Sequence, residues 1–175
     1  MKMAKTSIVL YILLGVLYQA KGQQKMFFVN EYHDYSLLIE ASATVTEQKI
    51  ESGYVETFSV LTSDSLFAYA VTVLKIDAGG TEYSNLLSEG FKASYLQNCK
   101  CGISTVEEEQ FNNFRGVTYR INKVENGQKL SGLSVNVVVN KSLFNITYMT
   151  NSFGFSRYKS DFHHIINSFV INPGD

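Results

Sequence analysis

Cys99-Lys100-Cys101 is the sharpest chemical feature of the sequence. Two thiols one residue apart point to opposite faces in a strand and cannot bond there, but they can close a small ring where the backbone turns. Asn98 and Gly102 on either side favour a turn. Three readings stand together: a local disulfide, free or intermolecular thiols, and a redox or metal site. A structural zinc site takes four ligands, and the spacing of His33, His163 and His164 brings none of them near the pair. Adjacent helical positions lie about 100° apart, so His163 and His164 do not share one metal. No metal, cofactor or catalytic residue is expected.

The remaining motifs are weaker. Glu107-Glu108-Glu109 lies in a strand pattern, where Glu108 points away from the other two; a solvated sheet edge is the expected role, and calcium binding is the alternative. Gly132-Leu133-Ser134-Val135-Asn136 lacks the second glycine of a nucleophile elbow, and Gly79-Gly80 is followed by no Lys-Ser or Lys-Thr of a phosphate loop. Tyrosine is plentiful. Tyr32, Tyr35, Tyr54, Tyr83, Tyr95, Tyr119, Tyr148 and Tyr158 are not all expected in the deep core, because each hydroxyl needs a partner. Tyr54, Tyr83, Tyr119 and Tyr148 are the candidates for a groove or an interface.

The N-terminus carries its own signal. Lys2 and Lys5 precede the apolar run Ser7 to Leu17, and small residues follow at Ala20-Lys21-Gly22. This is the layout of a secretory signal peptide over residues 1–22, with cleavage expected before Gln23. The run is shorter than the roughly 20 residues that span a bilayer, so no permanent anchor is expected. Removing Lys2, Lys5 and Lys21 from the 15 basic residues leaves 12 against 16 acidic ones, a formal charge of −4. Such a chain offers no electrostatic footprint for nucleic acid. Export, periplasmic or beyond the cell, would place both cysteines in an oxidising compartment.

The elements that must position these residues follow from periodicity. Leu133, Val135 and Val137, then Phe144, Ile146 and Tyr148, alternate with polar residues around the short break at Asn140-Lys141-Ser142. A period of two with a three-residue break predicts an antiparallel hairpin with one buried face. Strands are likewise expected over 35–43, 54–60, 66–76, 102–110 and 114–124, with a tight turn at Glu125-Asn126-Gly127. The third of these is apolar on both faces and belongs near the sheet centre. Residues 23–34 read as a poorly ordered lead-in and 44–52 as a loop. Helical spacing appears twice. One helix should run from a Thr81 cap to about Asn98. The other, over 156–168, is marked by Tyr158, Phe162, Ile165, Ile166 and Phe169. Strands and helices do not alternate, so the class is α+β: a mostly antiparallel sheet of about seven strands with two helices, in one domain over residues 35–175.

That order resembles the PsbP-like family, named after the extrinsic subunit of photosystem II. Tyr35-Ser36-Leu37-Leu38-Ile39 stands where the opening strand would be. Phe114 to Arg120, running on to Gly127, resembles the mid-sheet hairpin. Phe162 to Phe169 resembles the closing helix that ends in Ser-Phe. The resemblance implies an α/β/α sandwich and a binding or assembly role without a common catalytic site. The expectation is therefore an exported, non-enzymatic binding or accessory module whose partner is an envelope protein or a small-molecule ligand. A redox or metal-dependent protein built on Cys99 and Cys101 and a structural envelope protein are the rivals.

Overall fold

The computed structural model describes residues 25–30, 34–51, 53–61, 67–152 and 154–171, without the side chains of Phe67 and Ala68. The expected signal peptide and His33 lie outside the described residues. Ten strands, β1 to β10, span Lys25–Asn30, Tyr35–Glu40, Thr44–Ile50, Gly53–Leu61, Phe67–Asp77, Gly102–Gln110, Arg115–Glu125, Gln128–Val139, Ser142–Asn151 and Val170–Ile171. A 3₁₀ turn over Tyr83–Leu87 and the helix α1, Glu89–Cys99, follow β5, and the helix α2, Phe155–Ser168, follows β9.

The large sheet has seven strands in the order β3-β4-β5-β9-β8-β7-β6, all pairs antiparallel. β5 and the β8–β9 hairpin lie at its centre, as their apolar content predicts. Both tight turns have the positive φ angles that match the twist of a hairpin: Asn126 and Gly127 at 51° and 77°, Asn140 and Lys141 at 50° and 63°. One face packs Phe58, Val71, Val73, Val135, Ile146 and Tyr148 against α2 and a second small sheet, β1-β2-β10. On the other face the 3₁₀ turn and α1 cover Val117, Tyr119 and Ile121, with Leu86 as the buried plug.

Four local expectations are corrected. The segment 44–52 is not a loop: Thr44–Ile50 is the edge strand β3, polar on both faces because neither is covered. Lys25–Asn30 of the lead-in is strand β1. The Tyr35 strand leaves the large sheet and joins β1 and β10, so the count of seven holds with β3 in its place. The first helix is broken at Ser88, whose extended backbone caps α1 through a bond from the Phe91 N–H to its Oγ at 3.1 Å; Glu82, not Thr81, caps the turn before it.

α2 keeps its predicted face, burying Phe155, Phe162, Ile165 and Ile166. Its end is tied to the small sheet by Ser168, whose Oγ accepts from the Leu38 N–H at 2.8 Å. Among the described residues no helix is long and apolar enough to cross a membrane.

Candidate functional site

Cys99 and Cys101 are joined by a disulfide across the end of α1, with Lys100 between them in the left-handed region at φ 51°. This turn carries the chain from α1 into the edge strand β6. The negative end of the helix dipole lies here and disfavours thiolates, which favours a clamp over a redox centre. A ring this small removes little chain entropy. The double variant Cys99→Ser/Cys101→Ser should keep its fold and lose about 1.5 kcal/mol or less in urea denaturation. Loss of all native circular dichroism signal would show a larger role.

The four tyrosines singled out from the sequence are not brought together. Tyr148 and Tyr119 are fully buried on opposite faces of the large sheet, Tyr83 is half-buried in the 3₁₀ turn, and Tyr54 lies inward on β4. Tyr119 and Tyr148 are core side chains, not groove linings. The histidines of α2 also stay apart: His164 is exposed, and the His163 ring packs 6.3 Å from that of Phe162. Among the described residues no three metal-ligating side chains converge. The glutamate run alternates as expected, Glu108 pairing with Arg115 and the Tyr83 hydroxyl while Glu109 accepts from Thr118 on the other face.

Two acids that the sequence analysis did not single out lie at the centre of the molecule. Glu56 is only 3% exposed and faces the small sheet. Its Oε2 accepts from the Tyr35 hydroxyl and from Asn30 Nδ2, the latter at 3.1 Å, and its Oε1 lies 3.4 Å from the Tyr54 hydroxyl. Glu40, equally buried, accepts from the Tyr69 hydroxyl at 2.8 Å through Oε1, and its Oε2 has no hydrogen-bond partner among the described residues. Burial pushes both carboxyl groups above the usual carboxylate range, and the hydrogen bonds from tyrosine only partly oppose it. These acids are how Tyr35 and Tyr69 satisfy their hydroxyls, whereas Tyr119 donates to the Leu86 carbonyl. One signal was in the sequence: Glu56 sits on the inward face of β4 between Tyr54 and Phe58, where an apolar residue belongs.

Tyr54 joins this buried cluster to a cleft of about 590 Å³ at one end of the large sheet. Lys49, Tyr54 and Lys75 are direct neighbours across β3, β4 and β5 and share the face on which Glu47 lies next along β3. The β8–β9 turn closes the other side with Asn140, Lys141 and Ser142. That turn is held in place by its own backbone, because the Lys141 carbonyl accepts from the Ala78 N–H at 2.8 Å. Gly53 is required at the cleft wall, since a Cβ there would run into the Lys75 carbonyl. Lys75 is ion-paired with Asp34 at 3.0 Å, and Asp77 accepts from the Gly79 N–H at 2.8 Å. Burial first, and then the neighbouring Glu56 and Glu47 carboxyl groups, hold the Tyr54 phenol well above its ordinary pKa, so it stays a neutral hydroxyl. The cleft therefore gathers charged groups of both signs around a phenol, from three strands and a rigid turn. Such a surface can bind a polar ligand.

No family model matches the chain, and no curated protein does. Solved structures do. The cyanobacterial PsbP protein of Synechocystis matches with a TM-score of 0.64 at 11% identity, over 84% of this chain and 92% of that one. A Pseudomonas aeruginosa protein of unknown function, described as a putative regulator, matches with a TM-score of 0.57 at 10% identity, over 86% and 99%. Identities this low speak of architecture alone. They agree with the packing above, a seven-stranded antiparallel sheet with one helix on each face: the chain has the PsbP-like fold.

Proposed function

We propose that the protein is an exported, non-catalytic binding or accessory module and that the cleft beside Tyr54 is where it takes its ligand. The observation that carries this reading is the cleft itself: polar and charged side chains of β3, β4 and β5 converge with the Asn140–Lys141 turn around one concave, pre-formed surface. Export is supported by the three-part layout of residues 1–22 and by a disulfide of the kind that persists in an oxidising compartment. The redox alternative ranks lower because the disulfide closes a helix C-terminus and lies away from the cleft-lining residues.

The test is amide chemical-shift mapping on the ¹⁵N-labelled chain beginning at Gln23, against a panel of neutral sugars, sugar acids, sugar phosphates, amino acids and polyamines. Saturable shifts that cluster on Glu47, Tyr54, Asp77 and Ser142 support the reading. Shifts confined to α1 and the Cys99–Cys101 turn, or none from the whole panel, would overturn it.

A further inference from the structure

We propose that β1 is a docking edge for a second copy of this chain, the two β1 strands pairing antiparallel about Phe28 into one six-stranded sheet. The inference is independent of the cleft, which no residue of β1 lines. Among the described residues the two sheets have four free edges, β3 and β6 in the large one, β1 and β10 in the small one. An open edge offers backbone N–H and C=O groups to any strand that meets it, and charges, bulges and shortness discourage such pairing. Three of the edges carry these guards. β3 holds Glu47 and Lys49. β6 holds Glu107, Glu108 and Glu109 and a register shift between Ile103 and Thr105. β10 is two residues long. β1, Lys-Met-Phe-Phe-Val-Asn, has none: its register with β2 is unbroken, and its single charge is on its first residue.

The side chains of β1 add an apolar surface to that edge. Met26 and Phe28 pack on the core, Phe28 meeting Phe58 edge-on at 4.9 Å, so the strand is held in place. Phe27 and Val29 point the other way and are 45% and 43% exposed. The pattern of the strand selects a second copy. Opposed residues of two paired strands share a face, so a twofold axis has to pass through a residue of β1. Through Phe28 it sets each Phe27 opposite the other copy's Val29, an aromatic–β-branched pair of the kind that stabilises sheets. One strand thus covers both exposed groups of its mate. An axis through Phe27 would instead set each Val29 against a lysine. With the axis at Phe28 the two Lys25 side chains lie at opposite ends of the pair. β1 also contributes no acid, on a chain with 16 acidic residues, so charge does not oppose the approach. Strands this short cover less than the roughly 800 Å² per partner of a standard interface, so the dimer is weak and depends on concentration.

The experiment follows the molar mass of the chain beginning at Gln23 by sedimentation, from micromolar to millimolar concentration, for the wild type, Phe27→Lys/Val29→Lys and Phe27→Lys/Val29→Glu. Both positions are exposed, and a thermal melt at the lowest concentration checks that the monomer folds. The expected result is a wild-type mass that rises toward that of a dimer, with association at least tenfold weaker in the double-lysine variant. The lysine–glutamate variant should recover part of that loss, because the axis at Phe28 sets its new lysine against its new glutamate. A mixture of labelled and unlabelled wild-type chain, which needs no variant, should give intermolecular nuclear Overhauser contacts between Phe27 and Val29. A monomer at every concentration, or a dimer equally tight in the double-lysine variant, would overturn the inference and leave the cleft untouched. A dimer without the Phe27–Val29 contacts, or a lysine–glutamate variant no tighter than the double-lysine one, would overturn the pairing about Phe28. A wild-type monomer whose β1 amides shift on addition of an unrelated peptide of alternating threonine and valine would overturn the second copy as occupant and make the edge a site for a partner's strand.

Discussion

Replacing Glu56 with alanine lowers the stability of the folded domain by about 3–5 kcal/mol, a large part of the roughly 5–15 kcal/mol a domain of this size has. The side chain is 3% exposed, and its carboxyl group is the acceptor for the buried Tyr35 hydroxyl and for the Asn30 amide. Truncation strands both donors away from water, each at a cost of about 1–3 kcal/mol, and leaves a cavity between the two sheets. Glu56→Gln keeps an acceptor oxygen for Tyr35 and should recover more than half of the loss. Urea denaturation of the three proteins checks this. An unchanged midpoint for Glu56→Ala would mean that water reaches Tyr35 and Asn30, and that the seam between the sheets is open.

The same residue makes stability depend on pH, in a direction opposite to that of a salt-bridged carboxylate. Burial raises the carboxyl pKa of Glu56, and of Glu40, in the folded state above the ordinary value that each regains on unfolding. Between the ordinary and the raised value the native chain therefore holds more protons than the unfolded one. The contribution of each group is fully present below the ordinary carboxylate pKa and is lost as pH rises through the raised one. The steepest slope for one such proton is about 1.4 kcal/mol per pH unit. The difference in stability between wild type and Glu56→Gln, followed upward from about pH 4, should shift against the wild type as pH rises. A difference that is flat, or that moves the other way, would show that the hydrogen bonds from Tyr35 and Asn30 outweigh burial.

Much of the architecture is legible wherever one face of an element is apolar and the other is not. The β8–β9 hairpin, the Asn126-Gly127 turn and α2 all have that contrast, and all lie where their periodicity puts them. β3 does not, because an edge strand exposed on both faces reads Thr-Val-Thr-Glu-Gln-Lys-Ile and has no period to detect. The transfer of the Tyr35 strand to a second sheet is equally hidden, since alternation tells that a strand is half-buried and not which strand it pairs with. Ser88 stops the 3₁₀ turn from running into α1 through its backbone angle and cap, although Leu86, Leu87 and Phe91 keep a helical rhythm straight across it. The cleft was out of reach for a similar reason. Lys49, Tyr54 and Lys75 are neighbours by cross-strand register, and Lys141 joins them only because the turn of its hairpin lines the same end of the sheet. Glu56 was the exception: an acid on an apolar face is a visible signal, and its meaning, a buried acceptor for tyrosine hydroxyls, needed only the identity of the partners.

Phe169→Ala should cost about as much as the loss of Glu56, some 3–5 kcal/mol, for a different physical reason. Phe169 stands one residue past α2 and is fully buried. Its ring stacks on Tyr35 at 5.3 Å and meets Phe144 and Phe114 nearly edge-on, both at 5.9 Å. Its carbonyl accepts from Asn113 Nδ2 at 2.9 Å, so the residue also holds the turn between β6 and β7. Truncation opens a cavity where α2, both sheets and that turn meet, and it should lower the melting temperature by roughly 6–20 °C in a chain of this size. Tyr35 then makes the two large effects interdependent. Its ring packs on Phe169 while its hydroxyl is held by Glu56, so either truncation frees Tyr35 to move. The double variant Glu56→Ala/Phe169→Ala should therefore lose less than the sum of the single losses, with a coupling of about 0.5–3 kcal/mol. Strict additivity would show that Tyr35 stays in place without either partner, and that the aromatic core and the buried acid are independent supports.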